Sequence, residues 1–372
     1  MITPAEFKSR RSKVLDYLKA KSDSDNKAYS YVLRSGSEKV FSNDVHYPFR
    51  VDSNFYYLTN FREPDALCVL DPHADNPFTL YVQPIDPKHE IWDGPREGVN
   101  GAKKNFHADA AYEADEFKDS ATSLDISDFI HSLRSIKSEA EIKLMQHSAN
   151  IAVQAHRVAK EIITPGIYEY EVEAMLNQVF RSQGASGWAY PSIVASGENS
   201  CILHYINNNK IIAKDDLVLI DAGAEYNYYA SDITRVHAAS GTMSRQQQDI
   251  YDLVVAAQLK AIASIKPGSS LLETHDIAAA IIGEGLADLG YIKDKNDPEQ
   301  IKKYYMHSTG HSLGLDVHDV GVDKKTTKYV PGMVCTVEPG IYIREKKIGV
   351  RIEDDIVVTK NGSMNLSVGM EK

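Results

Sequence analysis

The sequence predicts an α+β protein in two parts. A smaller N-terminal α/β domain covers residues 1–135, and a larger domain over 136–372 is built from two related α/β halves with a pseudo-twofold relation. Three observations predict this. Short apolar runs punctuated by Asp, Pro and Asn fill the first third of the chain. A helix-start signal appears just after residue 135. From there, a helix–helix–strand order occurs twice.

The N-terminal stretch is basic but lacks the apolar segment of a secretory leader, and it reads as an amphipathic helix. Residues 66–70 (ALCVL) and 79–82 (TLYV) read as two strands joined by a hairpin loop. Ser138 and Glu141 form a capping box, followed at helical spacing by Ile142, Met145, Ala149 and Val153. Thr164-Pro165-Gly166 stops this helix, and a second one ends near Gly184. The order then returns: a helix from Ser244, a stop at Pro267-Gly268, and a helix ending near Gly290. Each copy continues into a His-containing stretch and two strands.

The 372 residues carry 41 Lys+Arg against 52 Asp+Glu, a formal charge of −11, which opposes a role in gripping nucleic-acid phosphates or anionic lipid. Hydrophobic residues at 43% and charged residues at 25% match a soluble globular protein. No apolar run approaches the roughly 20 residues that span a bilayer. Cys68, Cys201 and Cys335 are too few and too scattered for a disulfide framework or a cysteine zinc module. The expectation is a cytoplasmic protein with no nucleic-acid or membrane partner.

The chemistry concentrates in the second part. Residues 217–220 (LVLI) are four apolar residues ending in Asp221, and residues 334–337 (VCTV) lead into Glu338. Each is followed by a second carboxylate-bearing strand, with Asp232 in SDITR and Glu353 in VRIEDD. Burying ionised carboxylates is costly unless they are paired or bind metal, and four in duplicated positions point to metal. His307, His311 and His318 lie within a dozen residues before Glu338, and His204 precedes Asp221 in a similar place. His46, His73, His89, His131 and His147 have no such company and read as ordinary surface or core residues. One histidine with four carboxylates is an oxygen-rich set, unlike a structural zinc site. It suits two divalent ions about 3.5–4 Å apart, which lower the pKa of a shared water and polarise a carbonyl, as amide hydrolysis requires. Mn²⁺ is the natural ion, with Co²⁺, Zn²⁺ or Fe²⁺ as substitutes.

The ordered set IDAG, SDITR, HSTGHSLGLDVHD, TVEPGIY and VRIEDD resembles the dinuclear metallopeptidases of the pita-bread (creatinase/aminopeptidase) fold. Within them it is most similar to the Xaa-Pro aminopeptidase (aminopeptidase P) family. The likeness extends upstream through residues 190–199 (YPSIVASGEN) and into the first domain at residues 47–59 (YPFRVDSNFYYLT). It implies that Asp221 binds one metal, that Asp232 and Glu353 bridge both, and that His311 and Glu338 bind the other. Glu338 would also serve as general base. His204 and His318 would contact substrate, His307 would support the site, and Arg351 would orient carboxylates from the face of the Glu353 strand. Tyr190 and Tyr342 are candidate walls for a pyrrolidine ring. Ser308 departs from the family, which usually has Gly there, and the stretch after Glu353 is short. The implied activity releases the residue before proline from X-Pro-Y peptides, by a homo-oligomer (dimer or tetramer). The alternatives are a prolidase acting on X-Pro dipeptides and a non-catalytic peptide- or protein-binding member of the fold.

Overall fold

A computed structural model describes residues 1–118, 123–321, 326–370 and 372. The chain divides into two compact units, Met1–Arg134 and Ser135–Lys372.

The first unit opens with the helix Pro4–Asp25, capped by the Thr3 side chain on the Glu6 N–H and ended by Asn26 in left-handed conformation. Its sheet runs Tyr31–Arg34, Leu67–Leu70, Phe78–Val82 and Ala110–Glu113, with the last pair parallel and the others antiparallel. The expected 66–70/79–82 hairpin is the centre of this sheet, with Leu67 opposite Tyr81. Val40, Phe41, Ile91 and Trp92 are exposed on this unit, Trp92 at 86%.

In the second unit the duplication is visible in the backbone. Ser138 and Glu141 make their capping box at the start of helix Glu139–Ile162, and Ser244 and Gln247 make the same device before Arg245–Ser264. Each long helix turns through a glycine of positive φ, Gly166 (101°) or Gly268 (91°), where a Cβ would be strained. The Gly166 N–H donates to the Ile212 carbonyl, and the Gly268 N–H donates to that of Tyr329. Isolated bridges Tyr168–Ile211 and Ser270–Lys328 repeat the correspondence two residues on. The second helices, Glu169–Ser182 and Leu271–Asp288, follow in register.

Each half then builds a small antiparallel sheet. In the first, Leu217–Asp221 lies between Ile193–Ser196 and Thr234–Ala238. In the second, Asp354–Val358 lies between Val334–Val337 and Ser363–Asn365, beside the hairpin Gly340–Ile343/Ile348–Arg351. The four-residue apolar run before Asp221 is explained by two cores. Val218 and Ile220 pack with the helix pair of the first half, while Leu217 and Leu219 pack with that of the second. Full burial of each such side chain contributes about 1.5–3 kcal/mol. The two sheets meet where the Glu353 N–H donates to the Thr234 carbonyl.

Candidate metal centre and active site

Antiparallel pairing sets the first two carboxylates. Asp221 ends its strand opposite Thr234, two residues beyond Asp232. Gly223 lets the intervening turn close: a Cβ there would overlap the Ser231 carbonyl. Gly310 does the same beside the Thr336 carbonyl, between the His307 and His311 positions. The Glu338 N–H donates to the Thr309 carbonyl and the Thr336 N–H to that of His311, so the histidine segment is laced to the strand preceding Glu338.

These elements bring Asp221, Asp232, His311, Glu338 and Glu353 to one cavity of about 580 Å³, which Tyr190, His204, His307, His318 and Arg351 also line. The remaining walls are largely apolar: Pro191, Ile193, Leu203, Ile206 and Val317. Ligand atoms of Asp232, His311 and Glu353 lie within 4.8 Å of one another, close enough for one ion. His311 Nε2 is 3.3 Å from Asp232 and 3.6 Å from Glu338, and its Nδ1 faces the Ser312 carbonyl at 3.0 Å. His318 meets the His311 ring edge-on, with centroids 4.4 Å apart.

Charge is unbalanced here. Four carboxylates face Arg351 and His311 as the cations. Burial raises Asp221, with Arg351 opposing and Asp232 adding to the rise. Burial and the charges of Asp232 and Glu338 hold Glu353 well above the usual carboxylate range. Burial lifts Glu338 to about 7, although His311 and Arg351 pull it down. Burial alone would depress His311, but the hydrogen bond to Asp232 and the nearby carboxylates hold it at about 9. Asp232 is the exception: His311 and Tyr190 outweigh its burial and lower it. A cluster that cannot keep all its carboxylates ionised with its own cations, yet converges oxygens and an imidazole, fits divalent metal.

Of the two tyrosines expected as ring-pocket walls, Tyr190 lines the cavity and Tyr342 does not. The Tyr190 hydroxyl contacts Asp221 at 2.6 Å and Asp232 at 2.5 Å, so its polar end faces the carboxylates. Tyr342 is 2% exposed and does not line the cavity. Its hydroxyl receives a bond from Arg351 Nη1 (2.9 Å) and lies 2.8 Å from His307 Nε2. That oxygen therefore gives its proton to Nε2, which leaves Nδ1–H of His307 to donate to the Ser308 carbonyl at 2.9 Å. Burial and Arg351 lower His307 to about 3, so it is a neutral, fixed tautomer. Arg351 completes the row through Nη2 to Asp221 at 2.6 Å. Ser308, the family departure, donates to the Gly310 carbonyl within the same turn.

Sequence reasoning missed several supports. Thr234 donates to Glu353 Oε2 at 2.6 Å. Arg235 donates to the Glu353 carbonyl and pairs with the buried Asp354. Lys137 and Asp319 form a nearly inaccessible ion pair beside the histidine segment. The Thr-Arg of SDITR was a readable signal, since the pair begins two residues after a candidate ligand.

A family model described as Metallopeptidase family M24 matches residues 143–360, and one described as Aminopeptidase P, N-terminal domain matches residues 7–127. The chain belongs to metallopeptidase family M24. It is a metal-dependent aminopeptidase of that family. Among M24 relatives, it is 38% identical to a Xaa-Pro aminopeptidase of Haemophilus influenzae, over 99% of this chain and 95% of that protein. It is 32% identical to Xaa-Pro aminopeptidase 3 of Homo sapiens, over 100% and 84%. A solved aminopeptidase from Pseudomonas aeruginosa superposes with a TM-score of 0.93 at 35% identity, covering 100% of this chain and 96% of that one. Aminopeptidase P from E. coli gives 0.93 at 33%, with the same coverage. Like these M24 structures, the chain has the pita-bread architecture with a separate N-terminal domain. Among the described residues no helix is long and apolar enough to cross a membrane.

Proposed function

We propose that this chain removes the N-terminal residue from peptides with proline in second position, with two divalent ions, most readily Mn²⁺, held by Asp221, Asp232, His311, Glu338 and Glu353. The observation that carries the reading is the convergence of these five side chains in one cavity with His204 and His318. We assign this chemistry to residues 136–372 and treat 1–135 as a separate domain. Bound there, the ions supply Lewis acidity for the scissile carbonyl and ease deprotonation of a water.

The chain's own groups do the rest. Glu338 is the carboxylate placed to take a proton, because its side chain is 16% exposed and is held loosely, by a 3.4 Å bond from Thr336 and by His311 at 3.6 Å. His204 is exposed in the cavity and has no hydrogen bond among the described residues, so its ring can donate to a developing oxyanion. His318, exposed beside His311, offers a second donor. Tyr190 orients Asp221 and Asp232, and the His307–Tyr342–Arg351 row orients Asp221 from behind.

A tertiary X-Pro amide has no N–H, so its recognition depends on ring contact and its departing nitrogen needs a proton. Pro191, Ile193, Leu203, Ile206 and Val317 offer the apolar contact. Arg351 is the only Lys or Arg among the described residues lining the cavity, and it is engaged by Asp221 and Tyr342. Little remains to hold a carboxylate directly after proline, which favours longer peptides over X-Pro dipeptides. Exposed Ile91 and Trp92 support a homo-oligomer, dimer or tetramer, that works in the cytoplasm.

A panel of X-Pro, X-Pro-Y, X-Ala-Y and Met-Ala-Y peptides with added Mn²⁺ tests the reading. Cleavage confined to X-Pro-Y is expected. Turnover of X-Pro dipeptides alone would make the chain a prolidase, and inactivity on every proline peptide would end the proposal.

A further inference from the structure

Glu169 is a carboxylate with no exposed surface, placed at the first position of helix Glu169–Ser182 and outside the metal cavity. Among the described residues all of its side-chain hydrogen-bond donors come from residues 196–210, the stretch that carries His204. Oε1 accepts from the Ser196 N–H (2.7 Å), the Ser196 hydroxyl (2.7 Å) and Asn199 Nδ2 (3.1 Å). Oε2 accepts from the Tyr205 hydroxyl (2.8 Å) and the Lys210 N–H (3.0 Å). One carboxylate therefore fastens both ends of the stretch and the residue next to His204. Between the fastenings Ile202 and Ile206 are exposed, at 46% and 54%, and His204 lines the cavity with no hydrogen bond among the described residues.

The duplication separates this role from the needs of the fold. Gly166 corresponds to Gly268, and Tyr168 to Ser270, so Glu169 corresponds to Leu271. Leu271 is equally buried, at 2%. The same corner of the other half is thus completed by an apolar side chain. The carboxylate occurs only in the half whose following stretch delivers His204.

We infer that Glu169 is a positioning residue for the proposed reaction, holding His204 and the adjoining Leu203–Ile206 wall against the substrate. The inference rests on the proposed role of His204 at the scissile bond. Removing the acceptor would strand five donors, of which the Ser196 and Lys210 amides are backbone groups, and the stretch would shift to find other partners.

The test uses the full-length, metal-loaded enzyme. Glu169→Gln keeps the shape but turns an amide N–H₂ toward donors. It is expected to retain the wild-type metal content and to lower kcat/KM on X-Pro-Y about tenfold, equivalent to about 1.4 kcal/mol. In a His204→Ala background the same change is expected to cost less than twofold, because its route to the substrate is already gone. An equal loss in both backgrounds, or no loss in either, overturns the inference. A second readout needs no substrate. Trypsin should cut after Lys210 in Glu169→Gln and not in wild type, as fragment masses will show. A stretch as protected as wild type overturns the inference. Wild-type inactivity on X-Pro-Y would sink the functional reading alone, since the tryptic cut stands independently. Should Glu169→Gln fail to fold, Tyr205→Phe removes one donor, and its loss must likewise shrink in the His204→Ala background.

Discussion

Adding Mn²⁺ to metal-free protein should expel protons, and two side chains set a lower bound on the number. His311, held near 9, and Glu338, raised to about 7, must both be deprotonated to act as ligands. At pH 6.5 the first is almost wholly protonated and the second about three-quarters so, giving about 1.8 protons released per chain. At pH 8 the occupancies fall to about 0.9 and 0.1, giving about 1.0. Integrated between these pH values, these two groups alone should raise apparent metal affinity about a hundredfold. The sign is fixed: both groups bind protons in competition with metal, so affinity climbs with pH. Glu353, also raised, would add to the count. Calorimetric titration in two buffers of different ionisation enthalpy measures proton release directly. A count near zero at both pH values, or affinity independent of pH, would refute the assignment of His311 and Glu338 as ligands.

Three further outcomes follow from the same geometry. Tyr190→Phe removes the hydroxyl shared by Asp221 and Asp232 and should weaken metal binding about 10–100-fold by calorimetry, while leaving the fold's circular dichroism unchanged. Lys137→Met leaves Asp319 buried without its cation and should cost about 3–5 kcal/mol in denaturant unfolding, with Lys137→Met/Asp319→Leu recovering much of it. Gly223→Ala would drive a methyl group into the Ser231 carbonyl, and a midpoint of unfolding within 1 °C of wild type would contradict the described turn.

Much of the architecture was readable because local signals agreed with tertiary ones. Ser138 and Glu141 mark a helix start whose box closes as spaced, and the LVLI run before Asp221 required burial on both faces. The duplicated glycine stops mapped onto matching backbone bonds of Gly166 and Gly268. The tyrosines were harder. Tyr190 and Tyr342 look alike as aromatic neighbours of motif residues, and nothing in spacing says which end of a phenol is wanted. Only the fold reveals that Tyr190 turns its hydroxyl to two carboxylates and that Tyr342 hides its own between His307 and Arg351. Lys137 and Asp319 are 182 positions apart, and Glu169 binds donors up to 41 residues away, so no short-range pattern could join them. Long-range polar pairs inside apolar surroundings leave no periodic trace.

The join between the Thr234 and Glu353 strands has a mechanical meaning. One half contributes Asp221 and Asp232; the other contributes His311, Glu338 and Glu353. Neither portion alone has the groups to retain a pair of ions, so the ions would act as rivets through two plates. Prying the plates apart would shed the rivets, and extracting the rivets would let like-charged edges push against each other. Chelators should therefore loosen the join between the two halves as well as silence the site, and slow hydrogen exchange at the Glu353 amide would be the first protection to disappear.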